Sequence, residues 1–182
     1  KIVYFESGHE ESYDIIISSL PLPQSQDIFQ STIEHDSKFG PCIAVGMNFK
    51  LPSDIIHNAF KNFNADVPWF ASSKFYNSEE QETWIMQFSP EASTKMMSAS
   101  DSYIENAVTR SIADFFNQDF KLKNIKIFRW KYALCSRSEL NNKFTSISEE
   151  AFAIGDWNIS ARVESAYISG VALGNFLNEA RA

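Results

Sequence analysis

The residues with the most chemical potential lie between Ala151 and Leu177. An apolar run, Ala151 to Ile154, reads as a short buried strand that stops at Gly155-Asp156-Trp157. A helical pattern follows Arg162, with Val163, Tyr167, Val171 and Leu177 near the helical repeat and Glu164 in the first turn. A second stripe, Ala166, Gly170 and Gly174, carries almost no side chain, which predicts a helix backbone pressed close to a neighbour. Strand, tight Gly-Asp turn and helix start together suit an anionic or electron-rich ligand. The first helical amides lack partners within the helix, and the aligned peptide dipoles leave partial positive charge there. The plain alternative is ordinary αβ packing, in which small residues only let a helix lie on a strand.

A second constellation is Phe128-Arg129-Trp130-Lys131-Tyr132, inside the strand-like run Ile125 to Leu134. Basic and aromatic residues interleave as in a nucleic-acid patch, but strand alternation separates them. Phe128, Trp130 and Tyr132 share one face, and Arg129 and Lys131 the other. The aromatic face is therefore a core or a ligand wall, and the basic face is solvated. Other chemistries have no footing. There is no Gly-x-Ser-x-Gly, and neither Cys42 nor Cys135 has a histidine at a motif spacing. His9, His35 and His57 share no ligand spacing, so no metal site is expected. Glu79, Glu80, Glu82, Glu149 and Glu150 read as solvated turns, and no catalytic acid–base pair is assigned.

Composition narrows the class. The chain has 182 residues, 44% of them hydrophobic, enough for one substantial core or for one domain plus part of another. A formal net charge of -7 without a Lys/Arg stripe argues against a nucleic-acid partner. No apolar run approaches the ~18 residues of a membrane span. Two cysteines far apart in sequence read as buried thiols in a reducing cytoplasm. The opening at Lys1, directly in a strand-like run, reads as a piece of a longer protein.

The elements that must position these residues follow in order. Lys1 to Glu6 alternates as a half-buried strand, and Tyr13 to Leu20 reads as a strand buried on both faces, ended by Pro21 and Pro23. Gln24 to Ile33 is a helix. Phe39 to Phe49 is a strand; Leu51 to Asn62 is ambiguous, with a short helix start at Pro52-Ser53-Asp54. Val67 to Tyr76 and Thr83 to Phe88 form an antiparallel pair across the turn Asn77 to Glu82. Ser89-Pro90-Glu91 starts a helix, and Ser102-x-x-Glu105 is a capping box ahead of the stripe Ile104, Val108, Ile112 and Phe115. Ser138 to Lys143 is a polar loop. The expected class is α+β: αβ segments at both ends, and a middle of antiparallel sheet and helices inserted between them. The boundaries drawn are 1–37 with 144–182 for the terminal layer and 38–143 for the insertion.

A resemblance adds to this reading. Gly155-Asp156-Trp157 and Arg162-Val163-Glu164-Ser165-Ala166-Tyr167-Ile168-Ser169-Gly170 resemble the C-terminal flavin-contacting segment of the renalase-like FAD-dependent amine oxidase family. Tyr13 to Gln24 resembles that family's strand ending in a Pro-x-Pro-Gln turn beside the cofactor. Arg129-Trp130-Lys131-Tyr132-Ala133 resembles its Arg-Trp-x-Tyr segment, and the Trp84 strand followed by Ser89-Pro90-Glu91 fits too. The matches run in order over almost the whole chain. The resemblance implies that the terminal segments are the remnant of an FAD-binding domain and that 38–143 is the substrate domain. It places Gly155, Asp156 and Trp157 at the cofactor, with Asp156 near the FAD phosphate and ribityl region. The helix start at Arg162, Val163 and Glu164 faces the flavin ring. Trp69, Trp84, Trp130 and Tyr132 become the wall of a substrate cavity.

By this resemblance the full-length parent is an FAD-dependent oxidoreductase in the cytoplasm. It oxidises a small reduced substrate, an amine or a dihydronicotinamide dinucleotide, with oxygen as acceptor. The absent acid–base pair agrees with chemistry carried by a cofactor. One departure is large. None of the six glycines forms Gly-x-Gly-x-x-Gly, so the nucleotide-binding βαβ unit is missing. The 182-residue chain is therefore expected to fold without holding FAD, to be inactive alone, and to form a homo-oligomer through open sheet edges. Two other readings stand beside this one. The first is a cofactor-free binding or interaction module that keeps the fold. The second is a flavoenzyme acting on protoporphyrinogen or carotenoid-type substrates, for which the middle domain looks short.

Overall fold

Alternation along one long strand organises the middle of the chain. In β4 (Phe39–Asn48), Ile43, Val45 and Met47 are fully buried, while Gly46 and Asn48 between and after them are only half-buried. The computed structural model, which describes residues 1–51, 58–73, 83–136, 138 and 142–180, continues this parity through a five-stranded sheet ordered β5-β6-β7-β4-β8. Its other strands are β5 (Ala59–Lys61), β6 (Trp69–Ser72), β7 (Thr83–Gln87) and β8 (Lys123–Cys135). β7 is antiparallel to β6 and to β4, with Trp84 opposite both Ser72 and Met47. The expected helix start at Pro52, the strand end at Tyr76, the turn Asn77 to Glu82, His57 and part of the 138–143 loop lie outside the described residues.

One sheet face is covered by α2 (Pro90–Met96) and α3 (Asp101–Phe116), whose Ala92, Met96, Ile104, Val108 and Ile112 join Val45, Phe70, Trp84 and Met86 in a single core. α2 starts where its sequence demands: Ser89 Oγ accepts from the Ala92 amide at 3.2 Å, with Pro90 in the first turn. α3 starts two residues earlier than the Ser102 box suggested. Ser100 Oγ accepts from the Tyr103 amide at 3.3 Å, and Ser102 only bonds Ser100. That start puts Asp101 in the first turn, where its carboxylate meets Arg129 of β8 at 2.6 Å. Asn117, left-handed at φ 50°, ends the helix.

The compact unit so formed spans Gly40–Leu134, and the segments Lys1–Phe39 and Cys135–Ala182 form a second one. The chain is α+β, with the sheet-and-helix unit inserted into a discontinuous one. The second crossing comes at Leu134, ahead of the 143/144 boundary drawn from sequence, because Cys135 is buried in the core of the terminal unit.

In that terminal unit β1 (Ile2–Tyr4) pairs antiparallel with β2 (Glu10–Ser12). The hairpin is largely exposed, not half-buried as its alternation suggested, with Tyr4 75% accessible. A three-stranded sheet is ordered β3-β10-β9, where β3 (Ile16–Ser18) runs parallel to β10 (Ala151–Ala153), and β9 (Thr145–Ser148) runs antiparallel to it. β3 is shorter than the Tyr13–Leu20 run and sits at the sheet edge, which leaves Ile17 exposed. α1 (Leu22–Phe29) opens at once after Pro21 and stops at Gln30, left-handed at φ 47°, so Ile33 enters the core from beyond the helix. α4 (Val163–Glu179) closes the unit.

α4 is turned differently from its apolar pattern. Its buried stripe is Ser165, Ser169 and Leu173, whereas Val163 and Tyr167 are among the most exposed large hydrophobic residues of the unit. Hydrogen bonding explains the rotation. Ser169 Oγ accepts the Gly155 amide at 3.1 Å, and Ser165 Oγ lies 2.9 Å from Ser160 Oγ. Small hydroxyl side chains are what let the helix approach a strand-to-turn backbone whose amide needs an acceptor. The Ala166-Gly170-Gly174 stripe is not the contact: a β-carbon at Gly174 would meet nothing, and one at Gly170 would only touch Ile154.

Candidate functional site

In the terminal unit, the turn after β10 is a 3-10 turn, Asp156–Asn158. Trp157 is its anchor, 1% exposed. Its indole N–H donates to the Leu20 carbonyl at 3.2 Å, its own carbonyl accepts from Ser37 Oγ at 2.7 Å, and its ring meets His35 edge-on at 4.8 Å. Trp157 is therefore core, and the expectation that it contacts a cofactor is corrected: its side chain is spent within the protein. Gly155 has a local reason too, since it packs on that indole. Asn158 is fully buried; its Oδ1 accepts from Thr145 Oγ1 at 2.8 Å, and its Nδ2 has no hydrogen-bond partner among the described residues.

Asp156 and the start of α4 are the parts left open. The Asp156 carboxylate is half-buried beside the Cys135 thiol. Burial, reinforced by that carboxylate, pushes the thiol up to about 12 and keeps it protonated and inert. α4 begins without a side-chain cap, and Arg162, Val163 and Glu164 are exposed. The amides of Val163 and Glu164 find no backbone acceptor among the described residues. Free amides, the helix dipole and a guanidinium form a donor set suited to a phosphate or to the electron-rich edge of a flavin, so these residues fit the group that the sequence resemblance implies. No group of His, Cys, Asp and Glu among the described residues is arranged to hold a metal ion.

In the inserted unit, the sheet face away from α2 and α3 is the second candidate. Directly paired strand residues share a face, so Trp69 of β6, Gln87 of β7 and Ala44 of β4 point together. A cavity of about 830 Å3 opens there, walled by Ile85, Phe128 and Trp130, with Asn48, Thr83, Gln87 and Lys126 around them. Trp130 is 57% exposed and Phe128 48%. Ile125 and Ile127 point the other way, into the core, and Arg129 reaches Ala99 and Asp101 on the helical side.

The structure sorts the sequence-predicted wall accordingly. Trp130 lines the cavity, and Trp69 lies on the same face of β6, which β7 and β4 separate from β8. Trp84 does not belong to the wall: it is 0% exposed and stacks on Phe70 at 4.6 Å in the core, because strand parity sends Thr83 and Ile85 outward instead. Tyr132 is half-buried, with the Lys131 ammonium 5.0 Å from its ring centre, and is not among the cavity residues. Sequence reasoning missed Asn48, Thr83, Ile85, Gln87 and Lys126. The signal was available, since these residues alternate with the most apolar positions of their strands.

No family model matches the chain, and no curated protein does. Among solved structures, the chain is similar to one described as "Putative protoporphyrinogen oxidase" from Exiguobacterium sp. 255-15, at 13% identity and a TM-score of 0.64. The match covers 93% of this chain and 43% of the other, so the chain spans less than half the length of the protein it resembles. At this identity the likeness defines the fold. The fold is shared with a protein named as an oxidase, and the finer assignment to a renalase-like group has no support from it. Among the described residues no helix is long and apolar enough to cross a membrane.

Proposed function

We propose that this chain is the substrate domain and flavin-facing C-terminal part of an FAD-dependent oxidoreductase. The observation that carries the reading is the aromatic face of the inserted sheet, which no described helix covers, with its cavity of about 830 Å3, on a fold shared with a protein named as an oxidase. By this reading the parent is cytoplasmic and oxidises a small reduced substrate, an amine or a dihydronicotinamide dinucleotide. Bound FAD supplies the two-electron oxidation, and dioxygen with two protons leaves as hydrogen peroxide. This chain's own residues have simpler tasks. Trp130, with Phe128, offers flat apolar surface to the substrate, and Trp69 extends that surface. The amides of Val163 and Glu164, the Arg162 guanidinium and Asp156 would hold the cofactor.

Those contacts do not suffice alone. A helix N-terminus contributes about 0.3–1 kcal/mol, whereas nanomolar binding needs about 12 kcal/mol. The Gly-rich pyrophosphate turn that supplies much of the rest in dinucleotide folds is not in this sequence. The chain by itself is therefore inactive and does not retain FAD. With the edge strand β3 uncovered, it pairs with a second copy.

A second reading, a cofactor-free binding module, draws on one observation: Gly155 and Trp157, half of the supposed flavin motif, are explained by packing on each other. Purification of the full-length parent separates the two. Flavin visible absorbance, or its recovery on adding FAD, is expected. A colourless protein that FAD does not reconstitute refutes the flavin reading. For the 182-residue chain alone, calorimetry is expected to give no sub-micromolar FAD binding.

A further inference from the structure

Within that proposed function, on which this step rests, we infer that the open sheet face takes a flat ring bearing an anionic group and that Lys126 selects it over a cationic amine. Lys126 is the one charged side chain among the described residues that line the cavity. Its ammonium makes no hydrogen bond or ion pair with any described residue, in a chain whose formal net charge is -7. The remaining polar lining is neutral: Asn48, Thr83, Gln87 and Asn124. No carboxylate among the described residues lines it, so among them a protonated amine meets a like charge and no counter-ion.

Placement strengthens the point. Lys126, Phe128 and Trp130 stand at successive same-face positions of β8, about 7 Å apart along the strand. A ring lying on the Phe128 and Trp130 side chains therefore has the ammonium at its edge, where a carboxylate or phosphate one bond away can reach it. The cavity, about 830 Å3, lies within the ~300–1,000 Å3 usual for small-molecule sites. Like charge excludes the wrong ligand and opposite charge orients the right one. Of the two substrate types in the proposed function, the dihydronicotinamide dinucleotide agrees with this lining in charge, since its pyrophosphate, a ribose away from the ring, is anionic. The amine does not.

The test uses three probes with one ring and three charges, naphthoate, naphthamide and naphthylmethylammonium, titrated into the 182-residue chain. The readout is the Trp130 indole N–H resonance, assigned by its loss in Trp130→Phe. Naphthoate is expected to shift it saturably and to bind tightest, and the ammonium weakest. Lys126→Met should weaken naphthoate roughly three- to fivefold, the scale of an exposed ion pair, and leave naphthamide unchanged. Lys126→Glu should reverse the order of the charged probes. Added salt should shrink the Lys126 effect. Equal naphthoate binding by wild type and Lys126→Met overturns the inference, as does an ammonium that binds as tightly as the carboxylate. A Trp130 resonance that moves with protein concentration and not with any probe also overturns it, because the face then belongs to a second copy. The titration contains no flavin, so its failure counts against Lys126 and not against the flavin reading, which the colour of the full-length parent decides.

Discussion

Gly155 lies so close to the indole of Trp157 that a β-carbon at position 155 would stand 2.5 Å from Nε1 and 2.6 Å from Cδ1. The indole cannot retreat cheaply, because its N–H is bonded to the Leu20 carbonyl and its ring is packed on His35. The backbone of Gly155 is extended, at φ 162°, so the need for glycine is one of space and not of backbone strain. Gly155→Ala is predicted to cost about 1–3 kcal/mol, the usual scale of overpacking. Urea denaturation measures it. An unchanged midpoint would show that Trp157 has room to move.

The tryptophans of the inserted unit should divide cleanly. Trp84 is wholly buried against Phe70 and Phe49, so Trp84→Ala is predicted to remove about 3–5 kcal/mol. Trp130 is more than half exposed, and Trp130→Ala should change stability by no more than about 0.5 kcal/mol. Thermal unfolding of the two variants side by side checks this. Similar losses for both would mean that the cavity face is covered in solution.

How far the sequence reveals this division depends on which physical rule governs each element. One cap and one long apolar stripe were legible: Ser89 with Pro90, and Ile104, Val108 and Ile112 of α3, act where they were expected, whereas the cap of α3 is Ser100 and not Ser102. Strand parity was legible in β8, where Phe128 and Trp130 separate from Arg129. The same rule, applied to β7, would have moved Trp84 into the core. It was hidden because an indole suits a core and a ligand wall equally well. α4 was misread for a different reason. Val163, Tyr167 and Val171 follow a helical repeat, yet the helix is rotated by what Ser165 and Ser169 bond, and no hydrophobic count contains that information. The short β3 and the exposed β1–β2 hairpin reflect burial, which depends on neighbours that their own residues do not specify.

Arg129 ties β8 to the start of α3. Its guanidinium donates to the Ala99 carbonyl at 3.0 Å and to the Asp101 carboxylate at 2.6 Å. The pair is partly exposed, and solvent screens it. Arg129→Met, which keeps most of the stem, is predicted to lose about 0.2–1 kcal/mol. High salt should narrow the gap between the variant and wild type in guanidine-free thermal scans. A loss that salt does not touch would assign the effect to packing of the stem instead.

His35 makes the terminal unit sensitive to mild acid. Its side chain is 1% exposed, and its Nδ1 accepts the Ser37 amide at 3.1 Å, which places the proton of the neutral ring on Nε2. Nε2 has no hydrogen-bond partner among the described residues, and the ring meets Trp157 at 81°. Burial lowers the imidazole below its ordinary value, and the Asp36 carboxylate, 3.4 Å from Nδ1 and itself bonded to Ser138, opposes that shift only in part. A histidine lowered on folding means that the unfolded chain binds the proton more readily, so stability rises with pH in that window. The contribution is fully present above the unfolded value of about 6.5. It is lost as pH falls below that value, and the loss levels off once the folded imidazole also takes a proton. Denaturation midpoints collected from about pH 7.5 down to about pH 5 should therefore decline in the wild type. His35→Gln keeps a donor and an acceptor but cannot titrate, and its decline over the same range should be shallower. Parallel curves for the two proteins would remove His35 as the cause, as would an NMR titration that places its folded imidazole at or above the ordinary value.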